Sequence, residues 1–236
     1  MDTNSQEFKF ILLHNLFGPI QYLEELKKIS QKKYKIWKNR LVKNTNNVGV
    51  YGDLFELYIT WTLVMKNIEF ETTDSPDFKV LHNNSNIYIE CTSSQFDFEK
   101  KPSKDDILQK ISDTIYSKLN MNYANTSTCL FIDITNLCYH AKMLNSTISN
   151  KELMLSIVKA SQKIPMFESS QTFGAFMFFC FNITRNSKGE IRYACNSFNI
   201  IENTSVEPNL VDFLKTNNGS TLDKQTVKTI KFNHEI

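Results

Sequence analysis

Glycine and proline are scarce in this chain of 236 residues, at six and five, and a sequence so poor in both is neither a collagen-like repeat nor a low-complexity linker. It also lacks a membrane-length run. The most apolar stretch, "FGAFMFFCFNI" from Phe173 to Ile183, has the length of a strand and falls well short of the roughly 20 residues a spanning helix needs. The opening "MDTNSQEFKFILLHNLF" places two acids before a short apolar patch, without the basic start or small-residue cleavage site of a signal peptide, which predicts a soluble cytoplasmic protein. His14, His82, His140 and His234 are scattered without metal-ligand spacing, and neither a Gly-rich phosphate loop nor a G-x-S-x-G elbow occurs. The five cysteines are odd in number and lack C-x-x-C spacing. Four of them sit in apolar runs, so reduced core thiols are expected rather than disulfides or zinc ligands.

What the sequence does have is 41% hydrophobic residues, enough for one sizeable core. Its net charge of +2 is unevenly placed. Between Gln21 and Lys43 eight basic residues face only Glu24 and Glu25, so the rest of the chain is net acidic. From Gly18-Pro19 onward, Tyr22, Leu26, Ile29, Lys33, Ile36 and Leu41 recur at roughly helical intervals, which predicts one long amphipathic helix with a basic outer face and Tyr34 and Trp37 interleaved. We read residues 1–47 as a basic helical extension and 48–236 as an α/β domain.

After the break "NTNNVGVYG", Asp53 and Glu56 have the spacing of a capping box and open a second helix running to about Lys66. Three short runs rich in β-branched and aromatic residues follow, "IEFET", "DFKVLH" and "NIYIECTS", and read as a strand meander. A helix is expected from near Ser103 to Asn120, with Ile107, Leu108, Ile111, Ile115 and Leu119 recurring at helical spacing. "TCLFIDIT" then reads as a buried strand, with Asp133 as a strand-end acid. Beyond it we expect a helix over 151–163, two strands joined by "RNSKGE", and a short helix over 208–216.

The strand "NIYIECTS" carries a carboxylate where a central strand should be apolar. Side chains alternate along it, so Glu90 shares a face with Tyr88 and Thr92. Asp77 opens the preceding strand, and an antiparallel pair joined through "HNNSN" brings the two acids close. Such like charges repel unless a cation lies between them, and carboxylate oxygens suit hard divalent ions such as Mg²⁺. The plainer alternatives are a turn acid for Asp77, a helix cap for Glu56 and strand-end polar residues for Thr92, Ser93 and Ser94. Glu90 is hardest to explain that way, because a lone buried carboxylate is costly.

Pro76-Asp77 followed by Glu90-Cys91-Thr92, behind a helix bearing Glu56, resembles the PD-(D/E)xK, restriction-endonuclease-like nucleases across roughly residues 48–135. The resemblance implies an αβββαβ core with a mixed central sheet flanked by helices, the order read above from the residues. It also implies a Mg²⁺-dependent phosphodiesterase, with Mn²⁺ able to substitute, in which Asp77 and Glu90 bind the ion, the Cys91 carbonyl adds a ligand and Glu56 supports the site. Thr92 stands where the family pattern has Lys. The candidates for the displaced ammonium are Lys110 first, then Lys79 on the strand face of Asp77, with Lys118 as the third. Within this reading the basic helix becomes a phosphate-backbone contact through Lys32, Lys33, Lys35, Trp37, Lys38 and Arg40, where otherwise it is a solvated face. The expected activity is that of a restriction or defence type endonuclease on double-stranded DNA, with a homodimer as the default assembly. The alternative is a catalytically inactive nucleic-acid-binding or assembly protein that keeps the fold.

Overall fold

In the computed structural model, Ser30 interrupts what the sequence reads as a single basic helix. Helix α1 covers Gln6–Ile29 and α2 covers Gln31–Asn44. The Ser30 hydroxyl accepts a hydrogen bond from the Lys33 backbone N–H at 3.4 Å, and the Ser30 carbonyl accepts one from Tyr34 N–H at 3.0 Å. This is N-cap geometry, so a new helix starts there. The break also resets the helical phase. Ile29 and Ile36, expected to face inward, are about half exposed at 54% and 53%, while Trp37 turns inward. Helix α1 begins well before Gly18-Pro19 and carries Pro19 within it, forgoing one ladder hydrogen bond. The structure describes residues 6–44, 50–96, 100–144, 156, 172–185, 191–202, 205–218 and 228–230, and the side chains of all these except 6–17, 44, 142–144, 182–185, 191–202, 218 and 228–230.

The chain divides into two compact units, one of Met1–Glu69, Asn182–Ala194 and Thr226–Ile236, the other of Phe70–Phe181 and Cys195–Gln225. In the first, α1 and α2 pack with α3 (Val50–Met65), which the sequence reading placed at the head of the α/β domain. Their shared core is Tyr22, Leu26, Trp37, Leu57 and Trp61. The Tyr22 ring lies 4.8 Å from Trp61 and 5.5 Å from Tyr58, at separations where tilted aromatic pairs attract. The Trp61 indole N–H donates to Glu25 Oε2 at 2.7 Å. The start of β6 (Ile191–Glu202) also pairs antiparallel with β7 (Lys228–Ile230) in this unit.

The second unit is an α/β arrangement with a mixed sheet. Strands β1 (Phe70–Thr72), β2 (Phe78–His82), β3 (Ser85–Ser93), β4 (Thr128–Asp133) and β5 (Ala175–Arg185) lie side by side in chain order, with β6 after β5. The β1/β2 and β2/β3 pairs are antiparallel, whereas β3/β4 and β4/β5 are parallel. Asn83 and Asn84 both have positive φ, at 49° and 61°, between the paired His82 and Ser85, which makes the hairpin a two-residue type I′ turn. The order α3, β1, β2, β3, α4, β4 is the one expected from the residues.

Parallel pairs need crossovers, and helices supply them. Helix α4 (Lys104–Leu119) starts at a complete capping box between Ser103 and Asp106. It buries Ile107, Ile111, Ile115 and Leu119 against Leu130, Ile132, Phe176 and Phe178. Helix α5 (Thr135–Leu144), unforeseen in the sequence, adds Leu137, Cys138 and Ala141 to the same core. Helix α6 (Pro208–Asn218) is tied to the hairpin turn: Asp212 Oδ2 lies 2.7 Å from His82 Nε2 and accepts from Asn83 Nδ2 at 3.0 Å, and Asn209 Nδ2 donates to Ser85 Oγ at 2.8 Å.

Cys91, Cys129, Cys138 and Cys180 are buried free thiols, as expected. The side chain of Cys195, the "RNSKGE" turn after Arg185 and the helix expected over 151–163, apart from Ser156, lie outside the described residues. Among the described residues no helix is long and apolar enough to cross a membrane.

At Gly174 the backbone passes close to a neighbouring segment of the chain. Its N–H points at the carbonyls of Asn125 and Thr128, and an added Cβ would collide with the Thr126 carbonyl and lie 2.9 Å from Leu210 Cδ2. Gly174→Ala is therefore expected to destabilise the protein by about 2 kcal/mol or more, read as a lower midpoint in thermal or urea unfolding.

Candidate functional site

Asp77 lies one residue before β2, and the β2/β3 register pairs Phe78 with Ile89. Continuing that register sets Asp77 opposite Glu90. Along β3 the N–H of Tyr88 points to the β4 side, where it bonds Ser127 O at 3.0 Å. Alternation then turns the N–H and carbonyl of Cys91 toward the β2 side. Since β2 begins only at Phe78, the Cys91 N–H finds a side chain in place of a ladder carbonyl: it donates to Asp77 Oδ2 at 2.7 Å. The Asp77 carbonyl in turn accepts from Thr73 N–H at 3.0 Å.

Glu90 is only 5% exposed, so its carboxylate needs donors. It receives two at one oxygen. Lys118 Nζ on α4 donates to Oε1 at 2.6 Å, and the Tyr123 hydroxyl donates to the same atom at 2.8 Å. Tyr123 follows α4 in the connection to β4 and is itself buried. Burial, then the hydrogen bond and charge of Glu90 and the charge of Asp77, raise its phenol pKa far above the ordinary value, against a smaller opposing effect from Ser75. The hydroxyl thus stays protonated and donating throughout the neutral range.

The other candidates are placed elsewhere. Lys110, the first choice for the ammonium, lies over the Phe96 ring at 5.8 Å. Lys79 pairs with Glu71 across the β1/β2 ladder at 3.6 Å. The ammonium brought to Glu90 is that of Lys118, because α4 turns its Ile111, Ile115 and Leu119 face into the core and Lys118 lies on the flank of that face. Thr92 is half-buried near the end of β3, paired with Ile132. Asp133, at the end of β4, accepts from Thr135 N and Oγ1 and from Ser93 Oγ, and burial raises its pKa despite these bonds.

In the other unit, Glu56 meets Arg40. The guanidinium donates to both Glu56 oxygens, at 2.6 and 2.8 Å, and its Nε lies 2.6 Å from Asp53 Oδ1. Helix α3 begins at Val50, so Asp53 falls inside the first turn and the expected capping box gives way to this ionic cluster. Burial works against the Arg40 charge, but the bonds and charges of Glu56 and Asp53 outweigh it and raise the pKa. Arg40 also stacks on Trp37 at 4.9 Å, and Trp37 is a core residue, 3% exposed. Trp37 and Arg40, two of the six expected nucleic-acid contacts, thus make contacts within the fold. Lys33 is half-buried, its pKa lowered by burial and by Lys32. Lys32, Lys35 and Lys38 remain exposed.

Among the described residues, no three His, Cys, Asp or Glu side chains gather in a metal-binding group. The site's donors are two carboxylates and a strand-edge carbonyl. That set suits Mg²⁺, which keeps several waters and takes one or two carboxylates, and it does not suit zinc, which prefers nitrogen and sulfur. No family model, curated protein or solved structure matches the chain.

If the ion pair holds the buried carboxylate, Lys118→Met is expected to cost about 2 to 4 kcal/mol, since it leaves a charge inside the fold with a single donor. The double variant Lys118→Met/Glu90→Gln should recover part of that loss. Urea unfolding of the four proteins measures the coupling, and strict additivity would show that the pair does not act as a unit.

Proposed function

We propose that the chain is a divalent-metal-dependent nuclease that hydrolyses phosphodiester bonds of nucleic acid, with double-stranded DNA as the expected substrate. The observation that carries this reading is the β2/β3 register, which sets Asp77, one residue before β2, opposite Glu90, together with the Lys118 ammonium bonded to Glu90. An ion held there by Asp77, Glu90 and the Cys91 carbonyl would supply Lewis-acid stabilisation of the charge that develops on the phosphoryl oxygens. Asp77 fixes the strand edge through the Cys91 N–H. Lys118, a quarter exposed, provides the positive charge that the family pattern places two residues after Glu90, where this chain has Thr92. In this reading it takes the role first assigned to Lys110 or Lys79. Glu56, bound by Arg40, is left out of the ligand set.

A second reading has its own observation. Lys118 and Tyr123 already satisfy Oε1 of Glu90, so the buried carboxylate is also explained in a catalytically inactive nucleic-acid-binding protein. Cleavage separates the two. Incubated with plasmid, single-stranded DNA and RNA in Mg²⁺ or Mn²⁺, the wild-type protein should cut at least one substrate, and Glu90→Gln and Lys118→Met should each lower the rate by about a hundredfold or more. If every protein binds and none cuts, the enzyme reading fails.

Nucleic-acid affinity is assigned to the exposed lysines of α2. Replacing Lys32, Lys35 and Lys38 together with Gln should weaken DNA binding and flatten its dependence on salt, because fewer counterions are released. Fluorescence anisotropy titrations at several salt concentrations measure both effects, and an unchanged slope would remove α2 from the interface.

A further inference from the structure

Glu90 has an ammonium within bonding distance, yet the fold delivers a second donor to the same atom. Tyr123 is gripped on three sides. Its carbonyl accepts hydrogen bonds from Asn125 Nδ2 at 3.1 Å and Thr128 Oγ1 at 2.8 Å, its ring packs against Phe173 at 6.3 Å between centroids, and its hydroxyl reaches Glu90 Oε1 at 2.8 Å. Thr128 and Phe173 are fully buried, so the phenol is held by packed groups. Lys118 is a long, flexible side chain, a quarter exposed.

We propose that Tyr123 is a positioning residue for Glu90: together with Lys118 it holds Oε1, so that Oε2 is the oxygen presented to a divalent cation. The two donors differ in what they can do next. The Lys118 ammonium is able to turn toward a phosphate, whereas the Tyr123 hydroxyl is fixed and keeps Glu90 oriented when it does. Neither bond described here uses Oε2. The inference rests on the reading of Asp77 and Glu90 as cation ligands, and its test distinguishes failure of one from failure of the other.

Tyr123→Phe removes the hydroxyl and keeps the ring. Isothermal titration of the full chain with Mn²⁺ should show binding about tenfold or more weaker than wild type, the loss typical when a group orienting a metal ligand is removed. Thermal unfolding without metal should shift by only a few degrees. Phe173→Leu, which loosens the packing under the ring and leaves the hydroxyl, is the control: its unfolding midpoint should fall while its Mn²⁺ affinity stays within about twofold of wild type. Equal weakening in the two variants, or wild-type affinity in Tyr123→Phe where Glu90→Gln has lost binding, would overturn the positioning role and leave the cation site standing. A wild-type protein that does not bind Mn²⁺, or Asp77→Asn and Glu90→Gln variants that bind it undiminished, would remove the cation site and this inference with it.

Discussion

A carboxylate placed in the interior of a sheet has to be answered from its surroundings, and the second unit is arranged around the answer to Glu90. Leaving such a charge unpaired would cost several kcal/mol, a large share of what holds a domain together. The positive charge comes from Lys118 on α4, the helix that the parallel β3/β4 pairing requires as a crossover. The neutral donor comes from Tyr123 in the connection that brings α4 back to β4. One αβ unit therefore closes the hydrophobic core and neutralises the acid. The Ile107 to Leu119 stripe fixes the rotation of α4, and that rotation decides which lysine meets the strand.

The first unit solves a related problem differently. Asp53 is almost fully buried and Glu56 partly so, and a single guanidinium lying on Trp37 serves both. A planar fork with several fixed donors bridges two carboxylates in a way that an ammonium cannot. This explains why the one arginine among eight basic residues in that stretch is the one placed at the two carboxylates, while Lys32, Lys35 and Lys38 stay at the surface.

The parts of this structure that were legible in the sequence carry local, periodic signals. The three strands of the meander, the Asn-Asn turn, the start of α4 at Ser103 and its apolar stripe all follow from alternation, turn chemistry or capping. The juxtaposition of Asp77 and Glu90 follows from counting residues through the hairpin. The break at Ser30 had a signal, a serine with N-capping potential, but the apolar spacing across it suggested a continuous helix. Lys118 was a candidate that ranked below Lys110, because residue order does not reveal which flank of α4 lies against β3. Tyr123 lay in irregular chain, where no period marks the inward side chain. The Arg40 cluster depends on two helices meeting, and its spacing imitated a capping box.

The I′ turn has a mechanical consequence. Strand β2 is pinned at one end by the clasp of His82 and Asn83 on Asp212, and at the other by Asp77 on the Cys91 amide. Between these anchors the hairpin acts as a ruler of fixed length. Slipping the pairing by one residue would turn every side chain of β2 to the opposite face, carrying Phe78 and Val80 out of the interior and Asp77 away from Glu90. The apolar residues thus hold the carboxylates in step: the same burial that stabilises the sheet also sets the distance between the two acids, and the length of a two-residue turn becomes part of the site without either asparagine touching it.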